Sequence, residues 1–252
     1  MSRLFTLLYG VLAYAFFLGV FVYAIGFIGG FYTPTQLDAP AQRPFGIALA
    51  IDLGLLTAFA VQHSGMARPA FKRWWTRIVP QAAERSTYVL FTNVAMVILF
   101  LTWQPIGGVV WETEGVLRAV VIGLYLLGWA VLLYATFLID HFDLFGLKQV
   151  WRRFTNQGYT PPQFYTPGMY QVVRHPLYIG WLMIFWAAPT MTVAHLVFAL
   201  VTTAYILVAI QLEERDLLDA FPREYAEYRR RTPMLLPRLG RRRRSATSST
   251  IV

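Results

Sequence analysis

Arg174-His175-Pro176-Leu177-Tyr178-Ile179-Gly180 stands where a polar stretch gives way to an apolar one, and the next long apolar stretch ends in Glu213-Glu214. A guanidinium, an imidazole and a phenol therefore gather at the mouth of one expected helix, and two carboxylates at the end of another. Pro176 suits the first turn of a helix, where its missing N–H costs nothing. That leaves His175 at the helix mouth beside Arg174, where unpaired N–H groups and the helix dipole attract an anion. Tyr178, three residues after His175, returns to the same side of the helix. Together with paired carboxylates able to hold a ribose diol or an ammonium group, this set can grip a small polar ligand. The plainer alternative makes Arg174 and His175 interfacial anchors, Tyr178 part of an aromatic belt and the glutamates a solvated helix end. Carboxylates at a helix C-terminus are mildly disfavoured by the dipole, so their presence there asks for a functional reason.

The elements that must position these groups are oily. The chain has 252 residues, 57% hydrophobic and 14% charged, against roughly 25% charged in a soluble domain. Its composition is that of a membrane protein. An apolar helix needs about 20 residues to cross the hydrocarbon, and about 4–31, 45–61, 88–103 and 116–139 each supply one. The first of these is too long for a signal-peptide core and reads as a retained span. Residues 177–212 are too many for one crossing and carry Pro189, which disfavours helix at the residue before it. They predict a tight hairpin whose first helix is short. The fold class is therefore all-α: a polytopic transmembrane bundle of five to six crossings with a C-terminal helical hairpin. Phe221 to Arg230 adds a short amphipathic helix on the cytoplasmic side that could cover a site, or simply lie at the interface.

Lys and Arg number 22 against 13 Asp and Glu. In a soluble chain that excess would suggest nucleic acid; here it falls in alternate loops, so no nucleic-acid partner is expected and membrane lipids are. Arg68, Lys72, Arg73, Arg77 and Arg85 occupy one loop, Lys148, Arg152, Arg153 and Arg174 another, and the tail holds Arg229–Arg231, Arg238 and Arg241–Arg244. The intervening loops hold a single arginine, Arg43. The positive-inside rule then puts both termini and the candidate site in the cytoplasm. The absence of cysteine excludes disulfides and cysteine catalysis within this chain. One domain is expected over 1–240, followed by a basic, Ser/Thr-rich and disordered 241–252. The arginine run there serves as a topology signal or binds lipid headgroups.

The segments RHPLYIG (174–180), EERDLL (213–218) and FPREYAEYRRR (221–231) resemble the C-terminal half of isoprenylcysteine carboxyl methyltransferases and the related phospholipid methyltransferases. These integral membrane enzymes use S-adenosylmethionine. The resemblance implies a cofactor-binding part over about 140–237, with S-adenosylmethionine held by Tyr170, Arg174, His175, Tyr178, Gly180, Glu213 and Glu214. Upstream, QHSGMARP (62–69) and DHFDLFGLKQVW (140–151) are similar to the NnrU-like branch and, more closely, to methanethiol S-methyltransferases. With them the resemblance spans most of the chain. It implies methylation of a small thiol, methanethiol, to dimethyl sulfide in a bacterial inner membrane. The alternatives are a larger lipid or isoprenoid acceptor, or a non-catalytic NnrU-like membrane protein.

Methyl transfer to a thiol needs a thiolate. Ionising a thiol of pKa about 8.5 at pH 7 costs about 2 kcal/mol, and a simple alkyl thiol costs more. His63 and His141, both near cytoplasmic ends of expected spans, are candidates for the base that supplies the difference. Interfacial histidines also serve as hydrogen-bonded structural residues. Asp143 is two residues from His141 and so diverges from it on a helix; Asp143 or Asp140 could instead orient His63. His195 lies towards the opposite side and is set aside. A metal is not expected, since no HxxxH or HExxH spacing occurs. A small substrate calls for a closed pocket, for which Phe142, Phe145, Trp151 and Trp181 are the expected lining.

Overall fold

The computed structural model describes residues 2–160 and 163–237. The chain runs through helices α1 (Arg3–Gly29), α2 (Phe45–Ala67), α3 (Pro69–Trp75) and α4 (Gln81–Thr102), strand β1 (Val109–Glu112), and helices α5 (Gly115–Leu138), α6 (His141–Leu144), α7 (Leu147–Phe154) and α8 (Pro176–Trp186). Strand β2 (Thr190–Thr192), α9 (Val193–Ala220) and α10 (Pro222–Arg231) complete it. Five helices, α1, α2, α4, α5 and α9, are long and apolar enough to cross a membrane. A helix satisfies its own backbone polar groups, as hydrocarbon requires. Their outward side chains stay apolar, as at Leu12, Val22 and Val116. The interior is built on aromatic contacts among Phe27, Phe100, Trp103, Phe185 and Phe198. The expected tail, 241–252, and Arg238 lie outside the described residues.

α8 has 11 residues, about 16 Å of helix and too short for a hydrocarbon core of about 30 Å. An extended segment completes its pass. β2 pairs antiparallel with β1, which lies in the α4–α5 connection. Asp38, from the α1–α2 connection, accepts from the Thr192 hydroxyl at 2.5 Å and meets His195 Nδ1 at 2.8 Å. His195 Nε2 lies 3.0 Å from the Phe185 carbonyl. Three connections thus meet at one end of the bundle, and the chain passes six times between its two ends. The expected hairpin is present, with its turn at Pro189. The two-stranded ribbon is an addition to the all-α reading: Val109-Val110-Trp111 and Thr190-Met191-Thr192 are too short to read as strands until the turn sets them side by side. His195 belongs to this clamp, at the end opposite the candidate site.

Two glycines fix close approaches. A Cβ at Gly180 would lie 2.8 Å from the Leu132 nitrogen and 2.9 Å from the Gly128 carbonyl oxygen. Small residues at such points let helices pack backbone to backbone in a membrane, and here they seat α8 on α5. Gly180 therefore faces a neighbouring helix, which corrects its expected place among the cofactor ligands. Two residues beyond Tyr178, it is turned roughly 200° around the helix from it. Gly146 has φ 90°, and a Cβ there would come 2.7 Å from the Ser86 nitrogen. Just before it, Asp140 at φ 71° caps α6 by accepting the Asp143 N–H at 3.1 Å and pairs with Lys148. Much of the 140–151 motif is thus a turn that docks α7 against α1 and α4.

Candidate active site

His175 caps α8 and Pro176 opens it, as the sequence predicts. Antiparallel packing of α8 with α9 brings this mouth to the Glu213-Glu214 end of α9. Glu214 Oε1 accepts from Arg174 Nε at 2.7 Å and lies 3.0 Å from His175 Nε2. A carboxylate only accepts, so this contact puts the proton of His175 on Nε2. Glu214 Oε2 faces Arg229 Nε of α10 at 3.2 Å. The Glu214 side chain is 3% exposed and fully occupied; that of Glu213 is 47% exposed. Glu213 holds the Tyr178 hydroxyl at 3.1 Å, leaving one carboxylate oxygen without a protein donor among the described contacts. The two glutamates therefore differ in kind: Glu214 braces the cationic cluster, and Glu213 presents a carboxylate.

The segment after α10 completes the brace. Arg174 N–H donates to the Pro233 carbonyl at 2.9 Å, His175 N–H to Met234 at 3.2 Å, and Arg174 Nη1 to Thr232 at 2.5 Å. The Tyr228 hydroxyl donates to the Tyr170 carbonyl at 2.5 Å, and Phe164 packs on Tyr225 and Tyr228. α10 thus covers the cluster. Burial pushes the Tyr170 phenol above its ordinary range, and the nearby Glu213 carboxylate adds to this. Sequence reasoning missed Arg229 and Thr232. One signal was available: the arginines that follow Tyr225 and Tyr228 at helical spacing share a short helix with them.

His63 and His141 part company in the structure. His63 Nε2 contacts the Tyr88 hydroxyl at 2.9 Å, Nδ1 contacts Thr92 Oγ1 at 3.2 Å, and Phe59 stacks on the ring with centroids 5.4 Å apart. Next to it, Ser64 Oγ meets the Tyr205 hydroxyl of α9 at 3.0 Å. Tyr88 and Tyr205 are both within electrostatic reach of Tyr178. This hydroxyl-rich set therefore lies towards the same end of the bundle as the cluster. Neither Asp140 nor Asp143 orients His63, contrary to expectation. Asp140 is committed to Lys148 and the α6 cap, and Asp143 accepts from Tyr159 at 3.2 Å. Arg85, whose guanidinium lies 5.1 Å from the Tyr88 ring, was also missed; its spacing from Tyr88 on α4 was the available signal.

His141 is buried among Tyr14, Phe17, Phe137 and Phe145, with Phe137 stacked at 4.4 Å. Both ring nitrogens are taken at 2.8 Å, Nε2 by Tyr14 and Nδ1 by Thr136. It is built as a structural residue. The expected aromatic pocket does not form either: Phe142 and Trp151 turn outward at 50% and 55% exposure, and Trp181 packs on Trp129 in the core. Burial holds the His141 imidazole below its ordinary value, with Asp140 opposing. As pH falls below about 6.5 the unfolded chain takes up this proton first, so the fold loses stability from there downward. His141→Phe is expected to lower stability by about 1–3 kcal/mol at neutral pH, because it orphans two hydroxyls, and to flatten the acid limb of the stability profile. Thermal unfolding in detergent between pH 5 and 8 measures both. A loss of turnover in protein that remains folded would return His141 to the catalytic candidates.

A membrane bundle with five helices long and apolar enough to span, which gathers an Arg–His–Glu cluster at one end under an amphipathic helix, is the class that fold and site define. The chain is 54% identical to a protein of Crocosphaera subtropica named "Methanethiol S-methyltransferase", over 96% of this chain and 95% of that one. It is 49% identical to "Methanethiol S-methyltransferase 2" of Bradyrhizobium diazoefficiens, over 97% and 94%. It is 48% identical to "Methanethiol S-methyltransferase" of Mycobacterium tuberculosis, over 94% and 98%. No family model and no solved structure matches. At this identity and coverage the chain belongs to the methanethiol S-methyltransferase family.

Proposed function

We propose that this protein transfers a methyl group from S-adenosylmethionine to methanethiol, giving dimethyl sulfide, at the cytoplasmic face of the membrane. The observation that carries the reading is the convergence of Arg174, His175, Tyr178, Glu213 and Glu214 from two antiparallel helices, in a chain of this family. The residues suit the cofactor. Glu213, half exposed with an oxygen to spare, would accept from the ribose hydroxyls or the ammonium group, and Tyr170 and Tyr178 would flank it. Arg174, His175 and Glu214 hold the wall in place. When bound, S-adenosylmethionine supplies an electrophilic methyl group.

The chain's own task is to make the thiolate. His63 is our candidate for it. The Tyr88 and Thr92 hydroxyls occupy both ring nitrogens, so the thiol must displace one of them from the single acceptor nitrogen of the neutral imidazole before that nitrogen takes its proton. The aromatic rings of Phe59, Tyr88 and Tyr205 around it suit a small apolar thiol. The cytoplasmic orientation rests on the cations clustered at the end of the bundle that bears the site.

The test is purified protein with S-adenosylmethionine and a panel of acceptors (methanethiol, longer alkanethiols, a prenylated cysteine, a lipid amine), with volatile product read by gas chromatography. Dimethyl sulfide from methanethiol, at a kcat/KM at least tenfold above the other acceptors, is expected. Protein that binds S-adenosylmethionine yet methylates a larger acceptor faster would overturn the substrate assignment.

A further inference from the structure

A second polar site lies at the same end of the bundle. It shares no residue with the Arg174–Glu214 cluster. A cleft of about 870 Å³ opens between the start of α1, α3, the start of α4, and α6–α7 with the loop that follows. Arg3, Lys72, Arg85 and Arg153 line it, against the carboxylates of Glu84 and Asp143. Lys72 has no carboxylate within ion-pair distance among the described residues, and Arg85 Nε reaches only the Leu144 carbonyl, at 2.6 Å. Burial, and the Arg85 guanidinium nearby, hold the Lys72 ammonium below its ordinary range. Behind these cations sit two acceptors in want of donors: Asp143 Oδ1 and Gln149 Oε1 are buried without a hydrogen-bond partner among the described residues. Tyr159, at the cleft wall, holds the other Asp143 oxygen; burial and that carboxylate push its phenol up to about 12.

Lys72 and Arg85, short of an anion, beside acceptors short of a donor, describe a ligand with both. The depth of the cleft says where it comes from. Arg3 begins α1, Arg85 lies in the first turns of α4 and Ile139 follows α5, so the cleft sits where hydrocarbon ends. Exposed apolar side chains adjoin it: Leu4 and Phe5 after Arg3, Trp74 after Lys72, and Phe142 before Asp143. We propose that this cleft binds the headgroup of a phospholipid whose phosphate meets Lys72 and Arg85 and whose head carries N–H or O–H donors for Asp143 and Gln149, its acyl chains lying along the apolar flank. Phosphatidylethanolamine and phosphatidylglycerol meet this description. Phosphatidylcholine, with no donor in its head, does not.

The assignment does not depend on the methyl-transfer reading. Delipidated protein in detergent is titrated with each lipid, acyl chains matched, and adducts are counted by native mass spectrometry. Phosphatidylethanolamine and phosphatidylglycerol are expected to bind at least tenfold more tightly than phosphatidylcholine. Lys72→Ala should weaken them about fivefold, from roughly 1 kcal/mol per cation at the headgroup, and Arg77→Ala, at an exposed cation outside the cleft, should not. Asp143→Asn should narrow the preference over phosphatidylcholine. Equal binding of all three lipids, or equal losses in the Lys72 and Arg77 variants, would reduce the effect to general surface charge and overturn the site. Glycerophosphoethanolamine, the head without chains, competing as well as the lipid would overturn the lipid as its occupant.

Discussion

Glu214→Gln is expected to weaken S-adenosylmethionine binding more than a hundredfold and to destabilise the fold. Glu213→Gln should lower affinity alone. Glu214 Oε1 serves Arg174 and His175, and Oε2 faces Arg229. An amide keeps one acceptor oxygen and turns an NH₂ towards groups that only donate. The buried Arg174 guanidinium, 10% exposed, then loses its counter-charge, and breaking a buried pair costs about 3–5 kcal/mol. The brace holds Arg174 and His175 to the Thr232–Met234 segment, so α10 should loosen as well. Glu213 carries no such load. It is half exposed, holds one phenol and meets His175 Nδ1 only at 3.9 Å, so its loss should leave the thermal midpoint within about 2 °C. Calorimetric titration and thermal unfolding of both variants separate bracing from contact. A folded Glu214→Gln protein with native affinity would refute the arrangement proposed here.

His63→Ala should lower kcat by about 10²–10⁴, the range of a positioned general base, with cofactor affinity within twofold of the parent. The ring meets Tyr88 and Thr92 and stacks on Phe59, so packing loss alone could slow the enzyme. The decisive measurement varies the acceptor. A thiol acidic enough to be ionised at the assay pH needs no base, so the defect of His63→Ala should shrink at least tenfold with such a thiol. A defect independent of thiol acidity would reduce His63 to a packing residue. Thr92→Val, which removes one contact to the ring and keeps its volume, should show a smaller loss with the same dependence on thiol pKa.

How far each residue was legible follows from the range of the force acting on it. The spans were legible because the requirement is local: about 20 apolar residues cross hydrocarbon whatever surrounds them. The C-terminal hairpin was legible from Pro189 and from length. The pairing of Arg174, His175 and Tyr178 with Glu213 and Glu214 was legible because a tight hairpin must bring the start of its first helix to the end of its second. Roles that depend on direction were not. Gly180 and Tyr178 share a helix, yet one faces α5 and the other the cluster. His63 and His141 both sit near span ends, yet one meets a hydroxyl set towards the site's end of the bundle while aromatic rings seal the other.

By itself, then, the chain's sequence determined a membrane bundle, the end at which its chemistry-bearing residues collect, and a helix of tyrosines and arginines able to lie over them. Tertiary structure alone decided which glutamate braces and which is presented, that Asp140 and Asp143 serve a cap and a separate cleft, and that Thr232–Met234 locks the start of α8. Hydrophobic partitioning sums over a segment and can be read along one dimension. Hydrogen bonds and ion pairs depend on ångström distances between distant residues, and only the packed helices set those.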